Sequence, residues 1–177
     1  MILSNMPFTI QTSRLTLLPF TKIICEQTLS KSTIMLSSLG IKPGDGWPDL
    51  DTMETLPRIL VNLDKVMEPS GFESWMIIIR DTNLIIGDAG FKGLPNKSGE
   101  IDLGYGIIAA ERNKGFAYEA TVGLLNWAFN QEEVAAVTAS CLINNLGSQR
   151  ILSLLNFSTI KNDNKMIYWR LSNTLKR

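Results

Sequence analysis

The chain has 177 residues, 45% hydrophobic and 19% charged, with 17 Lys plus Arg against 17 Asp plus Glu. That is the profile of one globular domain over 1–177 without the basic footprint of a nucleic-acid binder. Histidine is absent, which removes Ser-His-Asp, Cys-His and His-based zinc chemistry and leaves proton transfer to carboxylates, Tyr, Lys, Cys or water.

At the start of the chain Met1–Arg14 carries no basic flank followed by a long apolar stretch, so no secretory signal is predicted. Leu15–Leu18 continues an alternating run that starts at Arg14 and is closed by Pro19, a short strand. Apolar residues then recur at helical spacing from about Lys22 to Leu39 and from about Thr52 to Met67, as in Leu56, Ile59, Leu60, Leu63 and Met67. Asp51 followed by Glu54 reads as a capping box for the second helix. Between the two lies the Gly- and Pro-rich loop 40–48, which carries Trp47 as an exposed aromatic.

Three strands follow, Ser74 to Arg80, Leu84 to Phe91 and Glu100 to Ile108, and they are expected to form an antiparallel meander. In the third, Ile101, Leu103, Tyr105 and Ile107 share one face, and Glu100, Asp102, Gly104 and Gly106 share the other. Two glycines on one face leave room for a ligand. A helix of about fourteen residues begins just after Gly115, its apolar face marked by Ala117, Ala120, Thr121, Leu124, Leu125, Ala128 and Phe129. Val134 to Leu142 is apolar on both faces, as in a central strand, Asn145 to Leu155 reads as a helix, and Met166 to Leu171 alternates as a final strand before a polar tail. Apolar runs such as Met76–Ile79 are far shorter than the about 20 residues that cross a bilayer. Cys25 and Cys141 are too few for a metal cluster or a disulfide framework and read as reduced thiols of a cytoplasmic protein.

The chemistry concentrates where the third meander strand meets the helix after Gly115. The connecting segment Arg112-Asn113-Lys114-Gly115-Phe116-Ala117 is basic and feeds a helix N-terminus, where unpaired N–H groups and the helix dipole favour a phosphate or pyrophosphate. Taken alone, the same six residues also read as an ordinary connection with two solvated cations. They form neither a Walker loop nor Gly-x-Gly-x-x-Gly.

In context, the sequence resembles the GNAT superfamily of N-acetyltransferases, in its RimJ and RimL-like branch. The likeness is carried by Thr12–Leu17, by Gly99–Ile107, by Arg112–Ala117 with Glu119-Ala120 and Trp127–Phe129, and by Asn145-Leu146-Gly147-Ser148 with Leu155-Asn156-Phe157. It implies an α/β GNAT fold, a mixed and mostly antiparallel sheet of about seven strands flanked by about four helices. It also implies acetyl-CoA as cosubstrate, with its pyrophosphate on Arg112, Asn113, Lys114, Gly115, Phe116 and Ala117. The pantetheine is expected on backbone groups of Ile107 and Ile108, with Asn145 and Ser148 nearby. Asn113 and Asn156 stand where the family often has Gly, and Asn is the residue most able to keep the same left-handed backbone.

For the base, Asp102 is the first candidate and Glu100 the second, against the plain reading of two solvated carboxylates on a strand face. Ser148 is the candidate acid by family position, against a first-turn capping role. Asn145 divides between an N-cap and a pantetheine contact. Cys141 reads as core packing rather than a nucleophile, because nothing is available to generate its thiolate, and direct attack of the amine is expected. Trp47 and Tyr105 are assigned to the acceptor, Trp47 in an acidic mouth with Asp45, Asp49, Asp51 and Glu54 that suits an amine. The alternative for that cluster is helix capping and a solvated loop.

The expected acceptor is a small-molecule amine or a protein N-terminus, with no nucleic acid, membrane or metal involved and a homodimer common in the family. The alternative function is a non-catalytic module of the same fold that binds CoA or an acyl-CoA.

Overall fold

The computed structural model describes residues 9–174. In chain order it contains β1 (Ile10–Gln11), β2 (Leu15–Pro19), α1 (Lys22–Leu29), α2 (Ile34–Ser38), β3 (Lys42–Pro43), α3 (Leu50–Leu63), β4 (Ser74–Ile79), β5 (Leu84–Phe91) and β6 (Glu100–Ile107). A 3-10 turn (Ala109–Glu111) leads to α4 (Phe116–Phe129), β7 (Ala136–Leu142), α5 (Leu146–Leu154), β8 (Ser158–Asn162) and β9 (Met166–Ser172). The strands form one nine-stranded sheet in the order β1-β2-β4-β5-β6-β7-β9-β8, with β3 paired to β5. The β4-β5-β6 meander is antiparallel as predicted, and among the described residues only β6·β7 and β3·β5 are parallel.

The two faces of the sheet are covered differently. In the register Leu17, Ile77, Gly87 and Ile107 share a face, and α4 packs there. A Cβ on Gly123 would lie 3.8 Å from Leu17, and the Trp127 ring meets Phe72 at 5.1 Å and Trp75 at 5.8 Å. Leu18, Met76, Asp88 and Gly106 share the opposite face, toward α3. Among the described residues no helix is long and apolar enough to cross a membrane, and no group of His, Cys, Asp or Glu is arranged to hold a metal ion.

Several boundaries differ from the sequence expectation. The helix predicted over 22–39 is two helices, because Lys31 adopts a positive φ of 59° and the Thr28 hydroxyl bonds back to the Ile24 carbonyl near the end of α1. Helix α3 starts at Leu50 rather than Thr52, and its N-cap is Asp49, which accepts from the Thr52 N–H at 2.9 Å. The Asp51/Glu54 capping box therefore does not form. The helix ends at Leu63, short of Met67, and contains Pro57, which cannot donate to the Met53 carbonyl. Trp47 is not exposed but 6% accessible, part of the hydrophobic core. Strand β8, polar and fully exposed along its length, was not predicted at all. Residues 175–177 of the predicted tail lie outside the described residues.

Candidate active site

The central feature is the divergence of β6 and β7. Their parallel pairing runs from Glu100↔Ala136 to Leu103↔Ala139 and stops there, although β6 continues to Ile107 and β7 to Leu142. The backbone groups left open follow from ladder phase. Lys92 N–H donates to the Asp102 carbonyl at 3.0 Å and Ile108 N–H to the Ile86 carbonyl at 2.9 Å. The even-numbered residues of β6 therefore bond to β5, and Tyr105 and Ile107 direct their backbone groups toward the missing partner. On β7, Ile143 N–H donates to the Lys165 carbonyl and Asn173 N–H to the Ala135 carbonyl, so the odd-numbered residues bond to β9 and Ser140 and Leu142 face the opening.

The structure modifies the expectation for Ile107 and Ile108. Both backbone groups of Ile108 are paired, its N–H with Ile86 and its carbonyl with Glu111, and the Ile107 carbonyl accepts from Arg112 Nε at 2.8 Å. The groups that face the splay are those of Tyr105 and the N–H of Ile107.

Below the splay sits the basic segment. Gly115 is the N-cap of α4 at φ 83°, and Asn113 holds φ 63°, the left-handed conformation anticipated for it. The first intrahelical bond runs from Glu119 N–H to the Gly115 carbonyl, leaving the N–H groups of Phe116, Ala117 and Tyr118 at the dipole's positive end. Lys114 pairs with Glu111 at 2.9 Å, and Arg112 Nη2 lies 3.8 Å from Asp51. A brace that the sequence reading missed holds this segment from below. Arg14 donates to the Lys114 carbonyl at 3.0 Å, sits 4.5 Å over the Phe116 ring and bonds Glu119 at 2.7 Å. Glu119 also accepts from the Thr12 hydroxyl and the Arg14 N–H. Burial works to raise the Glu119 carboxyl, but these hydrogen bonds and the guanidinium charge outweigh it and hold it below the ordinary carboxylate range.

Two cavities open beside β6. The smaller, about 270 Å³, occupies the splay against α5 and includes Ser140, Cys141, Asn145 and Ser148. Asn145 is the N-cap of α5, accepting from Ser148 N–H at 3.0 Å. Tyr105 Oη donates to the Ser148 carbonyl at 3.4 Å, and burial pushes its phenol up to about 12. The larger cavity, about 700 Å³, lies between α3 and the sheet and is walled by Asp49, Asp51, Arg58 and Asp88 among others. The cavities share Lys92, Gly104 and Tyr105. A Cβ on Gly104 would meet nothing within 4 Å, so the glycine face of β6 is the open floor the alternation suggested.

Asp102 and Glu100 line neither of these cavities. Asp102 pairs with Lys92, and Glu100 accepts from Arg170 Nε at 2.8 Å. Trp47 is packed in the core and is absent from both linings. The carboxylate of β5 that lines the larger cavity, Asp88, was not singled out from the sequence, where its one available signal is a charge inside the apolar and glycine run Leu84–Phe91.

Residues 27–158 match the family model described as an acetyltransferase (GNAT) domain. The uncharacterized N-acetyltransferase YjdG of Bacillus subtilis (strain 168) is 38% identical over 122 residues, covering 69% of this chain and 73% of that protein. Among solved structures, the ribosomal-protein-S5-alanine acetyltransferase of Vibrio fischeri superposes with a TM-score of 0.68 at 13% identity, over 94% of this chain and 97% of that one. RimL, a ribosomal L7/L12 alpha-N-protein acetyltransferase solved with coenzyme A, gives 0.65 at 12% identity, over 93% and 98%. A parallel strand pair that separates above a helix N-terminus, carried on a chain with these relatives, belongs to the GNAT acetyltransferase family, and the protein is an acetyl-CoA-dependent N-acetyltransferase.

Proposed function

We propose that the chain transfers the acetyl group of acetyl-CoA to a primary amine, either a protein N-terminus or a small-molecule amine, by direct attack within a ternary complex. The observation that carries this reading is the junction at Gly104 and Tyr105, where the splay meets the cavity under α3. A thioester held in the splay is there reachable by an amine entering from the other side.

The chain's residues fit the donor. Arg112, Asn113, Lys114, Gly115, Phe116 and Ala117 would hold the pyrophosphate through helix N–H groups, left-handed backbone and the positive charges of Arg112 and Lys114. Backbone groups of Tyr105, Ile107, Ser140 and Leu142 would take the place of a strand partner along the pantetheine. Bound acetyl-CoA supplies the activated acyl group. One N–H of Tyr105 or Ile107 would polarise its carbonyl oxygen, and Ser148, half-buried in the splay cavity, would hydrogen-bond the sulfur as the thiolate departs. Cys141 is a free, buried thiol with no neighbouring histidine to ionise it, which favours direct attack over an acyl-enzyme.

Asp49 and Asp51 at the mouth of the larger cavity favour a cationic acceptor. The substrate named for RimL, a protein α-amine, supports keeping N-termini in that class. The reduced pair Cys25 and Cys141 supports a cytoplasmic setting.

Thermal shift with acetyl-CoA, CoA and ADP tests the donor site. Ligand at about 100 times its dissociation constant stabilises by roughly 2.7 kcal/mol, on the order of 5 °C for a chain of this size. Shifts with acetyl-CoA and CoA but little with ADP are expected. Thiol release across a panel of N-terminal peptides and small primary amines then tests the acceptor class, and silence in both assays removes the reading.

A further inference from the structure

Asp88 stands in β5 opposite Met76 of β4 and Gly106 of β6, half-buried on the wall of the larger cavity. No hydrogen bond or ion pair from another described residue reaches its carboxylate. Such a group costs stability in the middle of a sheet, and the fold offers it no structural task. Its setting disfavours the charge. Burial first, then the like charges of Asp49 and Asp51, push its pKa up to about 7.

The other ionisable groups facing this region leave that balance in place. Arg58 of α3 lines the same cavity, and Lys92, just past the end of β5, is paired with Asp102 of β6. Tyr105 is neutral up to about 12. Cys25 of α1 has its thiol pushed up to about 12 by burial, with Glu26 and Asp88 adding, and stays protonated.

The geometry aims the carboxylate at the reaction. Asp88 Oδ1 lies 3.9 Å from where a Cβ on Gly106 would be, the one described atom within 4 Å of that point beyond Gly106 and its chain neighbours. Gly106 and Gly104 carry no side chain that separates Asp88 from the splay. Adjacent strands lie about 4.8 Å apart, so a carboxylate of β5 opposite Gly106 reaches across the bare glycine face of β6 toward the junction.

We propose that Asp88 is the general base of the reaction, taking the proton of the acceptor ammonium directly or through one water. The proposal rests on the amine-acetyltransferase reading above. In the step, Asp88 removes one proton from the ammonium and later returns it to solvent. The freed nitrogen lone pair forms the C–N bond as the C–S bond breaks. The second proton lost by nitrogen ends on the CoA thiolate, giving amide, CoA thiol and one proton in solution. A base titrating near the working pH serves both halves of this exchange.

Asp88→Asn keeps the shape and removes the charge. With the fastest amine of the panel, kcat/KM at pH 8 should fall about 10²-fold, and the acidic limb of the pH profile, centred near 7 in the wild type, should vanish. Asp88→Glu should restore part of the rate with a displaced limb. The acetyl-CoA shift should be unchanged. The apparent Tm of Asp88→Asn at pH 8 should exceed that of the wild type. A carboxylate raised in the folded state lowers stability as pH climbs from its unfolded value to about 7, and the variant escapes that loss. Turnover within twofold of wild type with the limb intact would overturn the assignment and return the role to Asp102 or Glu100. A wild-type protein that neither shifts with acetyl-CoA nor releases thiol would instead bring down the transferase reading, and the base with it.

Discussion

Asn113 and Asn156 hold φ of 63° and 62°, a conformation that costs most L-residues about 1–2 kcal/mol and Asn less. At 113 this shape curls the backbone in front of α4. Asn113→Gly should therefore keep acetyl-CoA affinity within about twofold, whereas Asn113→Val should weaken it on the order of tenfold by calorimetry. These positions were legible because residue type alone carries their backbone preference. Asp88 and Trp47 were not. A carboxylate's role depends on which groups the register sets beside it. A tryptophan in a Gly- and Pro-rich loop looks exposed until the core that absorbs its area is known. The ion pairs of Glu100 with Arg170 and Asp102 with Lys92 join residues up to 70 positions apart, beyond any local pattern.

Among the elements, α4 and the β4-β5-β6 meander were readable because strong periodicity and tight turns are local facts. The apolar spacing of α1 and α2 persists across the helix interruption at Lys31, so the sequence predicts one helix there. Strand β8 was missed because an exposed edge strand needs no alternation. The brace under α4 makes a prediction at this scale. Removing Glu119 releases Thr12, Arg14 and the start of the helix together. Glu119→Ala should lower Tm by several degrees, since solvent screening at the half-exposed Arg14 leaves the set of charge-assisted hydrogen bonds worth about 2–3 kcal/mol together, and raise the KM for acetyl-CoA several-fold with kcat nearly kept. Because its folded pKa is depressed, the stabilisation is present above the ordinary carboxylate range and is lost as pH falls through the folded value. The Tm gap between wild type and variant should then close in acid, which a pH series of melting curves checks.

At the scale of the molecule, the α/β class and a mixed, mostly antiparallel sheet were implied by the resemblance, while the order of the strands and the cavity between α3 and the glycine face of β6 became visible only in the fold. The two cavities meet at Lys92, Gly104 and Tyr105 and otherwise have separate walls. Neither substrate therefore has to pass through the other's entrance. Acetyl-CoA and amine should load in either order, and neither product has to depart before the second reactant arrives. Initial-velocity plots at varied fixed amine should intersect rather than run parallel, and CoA should compete with acetyl-CoA while leaving the apparent affinity for the amine nearly untouched.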